Sequence, residues 1–367
     1  MRQEKWLDKP YYSLDAYMKY TYGQKVYKIA VDAGLTCPNR DGTLGERGCI
    51  FCSAGGSGDF AVPIAGGGRQ DGQSVVGASA NGCVYEHRSK RDSRGASTEV
   101  YHKEYERRGS CVDVERKTLD IKRQMERGMA KFHKKVGEKF VIYFQAYTNT
   151  YAPVGVLRAL YTEALAQPDI VALSIATRCD FLPPDVLDLL AELKTINPVW
   201  VELGLQTIHE HTLRFIRSGF SLAQYEQAVS ALHARGIKVI THLILGLPGE
   251  TTDDMRASVR YLAAHPVFGV KLQLLHVLEG TDLGTLYKND PFPLFTLEEY
   301  CDLIADCLAL LPPEMVIHRL TGDGPRRLLL APQWSTDKKR VLNTIHRQLA
   351  GRDLWQGKYY RNEEFHG

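Results

Sequence analysis

The 367-residue chain lacks a long hydrophobic run: no stretch approaches the ~18 apolar residues of a membrane-crossing helix, so no membrane association is expected. Its first residues, MRQEKWLDKPYYSLDAYMKY, lack the apolar core of a secretory signal, and a cytoplasmic location is the expectation. Cysteine is sparse. Eight residues over this length are too few for a disulfide scaffold, and in a reducing compartment clustered cysteines bind metal or do chemistry. An excess of one charge is also missing, with 46 Lys+Arg against 43 Asp+Glu, and no internal sequence repeat is present. Hydrophobic residues at 44% and charged residues at 24% are ordinary globular proportions, which argues against a fibrous or wholly disordered chain. The length suits one large α/β domain with a smaller appendage.

The balanced total hides a segregation. Residues 116–139 hold nine Lys/Arg against three Asp/Glu, and residues 319–361 hold ten against three, leaving the remainder net acidic. Clustered cations suit an anionic macromolecule such as RNA, although on charge alone a solvated helix face is the simpler account. The second stretch interleaves its cations with Trp334, Trp355, Tyr359 and Tyr360, a composition that grips phosphates and stacks bases, or packs terminal helices onto a core.

Six β-rich runs follow one another: KVYKIAV (25–31), FVIYFQAY (140–147), IVALSIAT (170–177), VWVELGLQ (199–206), KVITHLILG (238–246) and VKLQLLHVL (270–278). Helical spacing fills intervals between them, over residues 154–166, 184–194, 222–235 and 253–264. Repeated strand–helix units predict a parallel α/β sheet. It either curls into a partial barrel with functional loops at the C-terminal strand ends or lies open as a doubly wound sheet. Residues 61–115 interrupt the pattern with a run of glycines and then a polar stretch over 86–109, and read as a flexible insertion. Cys83 and Cys111 fall inside it and receive no role.

Only Cys37, Cys49 and Cys52 cluster, in TCPNRDGTLGERGCIFC (36–52), a C-x11-C-x2-C spacing directly after the first run. Its glycines let the backbone wrap closely around a bound group. Two cysteines two residues apart share one metal centre and the third closes from across the loop, which leaves one coordination position open. A structural zinc site takes four protein ligands, and no further Cys or His follows until Cys83. A [4Fe–4S] cluster on three thiolates keeps one iron free for a substrate or cofactor and is the favoured occupant, with a zinc knuckle as the alternative.

The segment TCPNRDGTLGERGCIFCSAGGSGDF, together with YFQAYTNTYAP (143–153), SIATR (174–178), WVELGLQT (200–207), THLILGLPGET (241–251), LLHVLEGT (274–281) and IHRLTGDGP (317–325), resembles the YhcC/YtqA-like radical S-adenosylmethionine (SAM) proteins. These are relatives of the elongator catalytic subunit. The resemblance covers the chain outside residues 61–115. It implies a partial (βα)6 TIM-like barrel over residues 25–280, preceded by an extension over 1–24 and followed by a small α/β extension over 281–367. It further implies a [4Fe–4S] cluster on Cys37, Cys49 and Cys52 whose free iron chelates the amino and carboxylate groups of SAM. One electron then yields a 5′-deoxyadenosyl radical that abstracts hydrogen from a substrate. An electron donor such as flavodoxin or ferredoxin is the implied partner and tRNA a candidate substrate. No acetyltransferase-like domain follows, so the elongator's acetyl-CoA chemistry is not expected.

Under this resemblance Gln145 and Thr148, at the end of the second run, are expected SAM contacts, although Thr148 or Asn149 could equally cap the next helix. Arg178 ends the third run with a cation suited to a carboxylate or nucleotide, or to a plain ion pair. Glu202 and Gln206 stand four apart on one strand, face the same side and are expected at the ribose or methionine part of SAM; a buried Glu–Arg pair is the structural alternative for Glu202. His242 and the turn Gly246, Pro248, Gly249, Glu250 resemble the adenine-binding segment. His276, His318 and Asp323 are candidates for the substrate end, a lone His being more often a satisfied core residue. Where the family has Asn-Arg-Gly-His, this chain has Arg217-Ser218-Gly219-Phe220. Arg217 replaces the usual carboxylate-binding arginine only if its helix shifts by one residue, because adjacent helical positions point about 100° apart. Cys179 is expected to be a small apolar filler. No catalytic residue toward the substrate is assigned. A non-catalytic zinc-stabilised RNA-binding protein and a degenerate radical SAM fold acting as a partner remain as alternatives.

Overall fold

The computed structural model describes residues 6–56, 114–132, 137–322 and 324–361; Cys83, Cys111, Asp323 and most of the expected insertion lie outside them. The strands are β1 (Val26–Val31), β2 (Lys139–Phe144), β3 (Ile170–Thr177), β4 (Val199–Gln206), β5 (Lys238–Leu245), β6 (Gly269–Leu274), β7 (Val277–Leu278), β8 (Val316–Arg319) and β9 (Leu329–Ala331). Seven of them form one parallel sheet in the order β1-β2-β3-β4-β5-β6-β8, which curls into a partial barrel, while β7 and β9 make a small antiparallel ribbon. The helices are α1 (Leu14–Tyr22), α2 (Val114–Ala130), α3 (Val154–Ala166), α4 (Pro184–Leu193), α5 (Glu210–Phe215), α6 (Leu222–Ala234), α7 (Thr252–Ala263), α8 (Asp282–Asn289), α9 (Leu297–Leu310) and α10 (Lys338–Gly351). No described helix is long and apolar enough to cross a membrane.

Parallel strands covered on both faces read as unbroken apolar runs, and all eight residues of β3, IVALSIAT, are buried. The helices start where side chains replace missing partners for the first-turn N–H groups. Ser221 with Gln224, Thr251 with Asp254 and Thr296 with Glu299 each form a reciprocal capping box at α6, α7 and α9. The four sequence-predicted helices are present as α3, α4, α6 and α7, each within one residue of its expected bounds.

Two differences shape the site. The sheet has a seventh strand, because β8 pairs with β6; its four residues, VIHR, carry only two apolar side chains and give too short a pattern to read. The run 270–278 is also not one strand: the sheet ends at Leu274, and the chain turns away to form β7. Helix α1, from the N-terminal extension, packs against β1 and β8, the two edges of the curl.

Along each strand alternate residues face the barrel interior, so side chains stack there in layers. The lowest layer is apolar: Val141, Ala172, Trp200 and Ile240 pack with Met18 and Tyr17 of α1 and with Phe268. Two residues further along the strands comes a polar belt. The buried Glu202 carboxylate accepts from Ser174 Oγ (2.6 Å), Lys28 Nζ (2.8 Å), His242 Nε2 (2.7 Å) and Lys271 Nζ. Lys271 Nζ also donates to Tyr143 Oη (3.2 Å), and the two ammonium groups lie 4.4 and 4.6 Å from the Tyr143 ring centroid.

Burial alone raises a carboxyl pKa, yet Lys271, Lys28 and His242 hold Glu202 well below the usual range. Burial and the Lys271 charge push His242 down to about 4, so at neutral pH its imidazole is uncharged and donates Nε2–H to Glu202. Burial likewise pulls Lys271 down to about 7, with Lys28 and Arg319 reinforcing it against the attraction of Glu202.

Replacing Glu202 with Gln leaves Lys271 buried beside Lys28 without a counter-charge, and should cost about 3–5 kcal/mol of stability in urea denaturation at neutral pH; a loss within experimental error would show that the belt contributes nothing to folding. His242 takes its proton near 6.5 in the unfolded chain but only near 4 in the fold. The unfolded state therefore binds more protons between those values, and stability falls as pH drops from 6.5 to 4. His242→Gln should flatten that part of the stability–pH curve, and an unchanged slope would remove His242 as its source.

Candidate functional site

Beyond β1 the chain crosses the C-terminal rim of the barrel as a loop over residues 32–56, strapped down by α2. The Asp32 N–H donates to Gln124 Oε1 and its carbonyl accepts from Gln124 Nε2, both at 2.8 Å. Lys117 Nζ donates to the carbonyls of Ala33 (2.9 Å) and Gly34 (2.8 Å). These side chains supply the partners that irregular backbone lacks.

Two tight turns present the thiols. The Cys37 carbonyl accepts from the N–H of Arg40 (2.8 Å) and Asp41 (3.2 Å), and the Cys49 carbonyl from the N–H of Cys52 (3.1 Å). Between Cys49 and Cys52, Ile50 is buried in an apolar cluster with Leu213, Ile216, Leu247 and Leu275. Its N–H donates to the Ile216 carbonyl (3.3 Å) and its carbonyl accepts from Leu283 N–H (2.8 Å), so the turn is pinned at its centre. Asn39 Nδ2 donates to the carbonyls of Arg217 (2.8 Å) and Ser218 (3.2 Å) and reaches Cys49 Sγ at 3.6 Å. Arg40 Nη2 donates to the carbonyls of Cys52 (3.0 Å) and Ser53 (2.6 Å). Gly48 has φ +72° and would place a Cβ 2.8 Å from Arg40 Nε, so only glycine lets the loop close over that guanidinium.

All three thiols line one cavity of about 270 Å³ at the C-terminal strand ends, with the belt of Glu202, His242 and Lys271 deeper in its wall. A hydrogen bond from the Cys52 thiol pulls Cys49 down to about 6 against burial, helped by Arg178, Asn39 and Arg40. Cys52 is raised in turn by that shared proton and by burial. Cys37 is raised chiefly by burial, although the Thr148 hydroxyl donates to its sulfur. Among the described residues, no three His, Cys, Asp or Glu side chains converge at single-ion spacing. Three soft thiolates around one cavity, flanked by guanidinium groups, suit a thiophilic cluster spread over several ångströms better than a mononuclear zinc.

Six further expected residues line this cavity: Gln145, Thr148, Arg178, Glu202, Gln206 and His242. Gln206 reaches it by an unexpected route. A bulge between Gly204 and Gln206 shifts the register with β5, and Gln206 has φ +71°. Its amide folds back over Gly204, where a Cβ would stand 2.7 Å from Gln206 Nε2, and its buried Oε1 has no hydrogen-bond partner among the described residues. Such an orphaned acceptor in a cavity wall fits a ligand donor.

Arg178 is fixed rather than free. Its Nε and Nη2 donate to Asp180 (2.9 and 2.7 Å), its Nη1 to the Ser218 carbonyl (2.6 Å), and it lies 5.4 Å from the Phe220 ring centroid. Two expected residues are not on the cavity wall. Arg217, at φ +58° beyond α5, pairs its guanidinium with Asp282, so no one-residue helix shift delivers it to a SAM carboxylate. Gly246, at φ +96°, packs against the Phe295 ring, and its role is the turn itself. The structural partner foreseen for Glu202 was Arg; the partners are two Lys and a His.

His276 lines the cavity, with Gly322 and Gly324 packed so closely that a Cβ would fall 2.1 and 2.6 Å from its ring. His318 sits in the core against Trp200 and Phe268, at centroid distances of 5.8 and 6.0 Å. Burial pushes the Cys179 thiol far up, in keeping with a filler. Sequence reasoning missed Lys28, Tyr143, Ser174 and Lys271, whose signal was a polar side chain inside a largely apolar strand, and Asn39 and Arg40, which lie inside the cysteine motif.

The radical SAM superfamily pattern matches residues 43–262, and the Radical_SAM C-terminal domain pattern matches residues 267–350. The chain is 38% identical over 358 residues to the YtqA protein of Bacillus subtilis (strain 168), covering 97% of this chain and 95% of that protein. It is 33% identical over 329 residues to YhcC of Escherichia coli (strain K12), covering 89% and 88%. A shorter match, 27% identical over 168 residues, covers 45% of this chain and 30% of a tRNA uridine(34) acetyltransferase of Methanocaldococcus jannaschii. Among solved structures, the fold resembles the archaeal Elp3 of Methanocaldococcus infernus, with TM-score 0.56 at 18% identity over 71% of this chain and 62% of that one. With its parallel half-barrel, its two matched regions and near full-length likeness to YtqA, the chain belongs to the radical SAM superfamily, among the YhcC/YtqA-like proteins.

Proposed function

We propose that the chain is a radical SAM enzyme in which Cys37, Cys49 and Cys52 hold a [4Fe–4S] cluster and the cavity before them takes SAM. The observation that carries this reading is that the three thiols share one cavity with Gln206 Oε1, which has no partner among the described residues, and that one thiol is already drawn down to about 6. When bound, such a cluster supplies the electron that cleaves SAM to methionine and a 5′-deoxyadenosyl radical. The chain's own residues do the rest. Arg40 and Arg178 place positive charge near the thiolates, favouring their deprotonated, ligating form. Thr148 and Asn39 donate hydrogen bonds to Cys37 and Cys49, which orients the sulfurs. Gln206 offers an acceptor to a ligand donor. Phe51, Ile216, Phe220, Ile244, Leu274 and Leu275 form an apolar part of the wall and limit the water that would quench a radical. An external one-electron donor such as flavodoxin or ferredoxin is required as a partner.

A tRNA substrate is the finer reading. It is supported by the partial match to acetyltransferases named for uridine 34, and by a surface where Lys358 Nζ lies 4.7 Å from the exposed Trp355 ring and 5.9 Å from that of exposed Tyr359. Trp334 does not join them: it packs inward, with Nε1 donating to the Phe295 carbonyl at 3.0 Å.

Anaerobic reconstitution followed by iron and sulfide analysis and chromatography with SAM and dithionite should give about four irons per chain and 5′-deoxyadenosine. Cys37→Ala, Cys49→Ala and Cys52→Ala should each abolish the nucleoside product; full activity of the Cys49 variant would sink the assignment. In filter binding, tRNA affinity should fall steeply with salt, and Lys358→Ala should reduce the log–log slope by about 1. Binding that ignores salt would remove tRNA as the substrate class.

A further inference from the structure

Among the described residues, the polar belt inside the barrel holds more ammonium groups than carboxylates. Glu202 is the sole carboxylate among the described residues lining the cavity, and two ammonium groups, Lys28 and Lys271, share it. Lys271 is 5% exposed at its side chain and lines the cavity, so its charge is held in a poorly screened place. Its ladder partner on β8 is Arg319, which also lines the cavity and donates Nη1–H to Gln273 Oε1 at 3.3 Å. Two cations side by side on neighbouring strands repel, and the arrangement is stabilised when an anion sits between them. Burial is the main cause that draws Lys271 down to about 7, and Lys28 and Arg319 add to it. The cysteine loop is elsewhere: the thiols hang from the rim, whereas Lys271 lies three residues before the end of β6.

We infer that the belt side of the cavity is the substrate subsite, and that the substrate carries a carboxylate or phosphate group that docks on Lys271 and Arg319. Calling it a substrate subsite rests on the radical SAM reading; the anion site itself does not. A bound anion would accept charge-assisted hydrogen bonds from both cations, while Glu202, held by Ser174, His242 and Lys28, fixes the position of the Lys271 ammonium in the cavity wall. The anchored end of the substrate would then lie below the rim where SAM is proposed to bind.

The test is thermal melting of the full-length, cluster-reconstituted protein, with the cluster-free protein in parallel, in sodium phosphate or sodium acetate against sodium chloride at matched ionic strength. Phosphate or acetate should raise the melting temperature saturably beyond chloride. The apparent affinity should fall at least tenfold in Lys271→Met and in Arg319→Met, and should be retained in Lys271→Arg. Whichever anion gives the larger shift names the group. Arg319→Met serves alone if Lys271→Met fails to fold. Equal shifts in wild type and variants, or none beyond chloride, would overturn the proposal. So would loss of the anion response on adding SAM, which would assign the cations to the carboxylate of SAM. Absence of cluster or of 5′-deoxyadenosine with the anion response intact would instead remove the radical SAM reading and leave the anion site standing.

Discussion

A carboxylate in the middle of a barrel is the constraint around which the rest of this structure is arranged. Glu202 lies where water does not reach, and ionised there without partners it would be prohibitively unstable. Its partners come from β1, β3, β5 and β6, that is, from both flanks of the curl. The contact to Lys28 joins strands that are three places apart in the sheet order. A flat sheet would hold those side chains far apart, so the hydrogen-bonded carboxylate and the curvature require one another. Because alternate residues face the interior, a one-residue slip of any contributing strand would turn its partner outward and leave the charge exposed to apolar surroundings. The belt therefore specifies register as well as closure.

The rim inherits that register. Gln206 lies four residues beyond Glu202 on the same strand, and the bulge that aims its amide into the cavity depends on the small Gly204 between them. The cysteine loop is attached to the same frame at three independent places: to α2 through Gln124 and Lys117, to the segment after α5 through Asn39, and to the start of α8 through the backbone of Ile50. Cys49 Sγ joins the second of these, accepting from Asn39 Nδ2 and donating to the Arg217 carbonyl. The other contacts run through groups that ligation does not alter, which is how a site pre-organises its ligands.

Much of this was legible because two periodicities are simple. Apolar runs alternating with helically spaced segments define a parallel α/β sheet. The cysteine spacing and the rim residues Gln145, Thr148, Arg178 and Gln206 were also readable, since each falls at or near the C-terminal end of a strand. The belt was harder to read. Lys28 and Lys271 are polar residues in strands that otherwise read largely as core, and nothing local says that they converge on one carboxylate 174 and 69 residues away. Arg217 was misplaced for a related reason. Its distance from the rim is set by a left-handed residue after a six-residue helix and by Asp282, a long-range partner without local signature.

Where the family has Asn-Arg-Gly-His, Arg217-Ser218-Gly219-Phe220 holds the cysteine loop and Arg178 in place through its backbone. The carbonyls of Arg217 and Ser218 accept from Asn39, and Ser218 also accepts from Arg178. Gly219, at φ +76°, would bring a Cβ within 3.1 Å of Asn39 Oδ1 and 3.3 Å of Arg178 Nη2, so its lack of a side chain is what lets both polar groups approach. Phe220 then covers the guanidinium that Asp180 neutralises. Arg178 is consequently rigid, buried and close enough to help the Cys52 hydrogen bond draw Cys49 down and to offset part of the burial that raises Cys37. A cation held this way is tuned to the ligating sulfurs, and it is separate from the positive charge that the barrel carries deeper down, at Lys271 and Arg319.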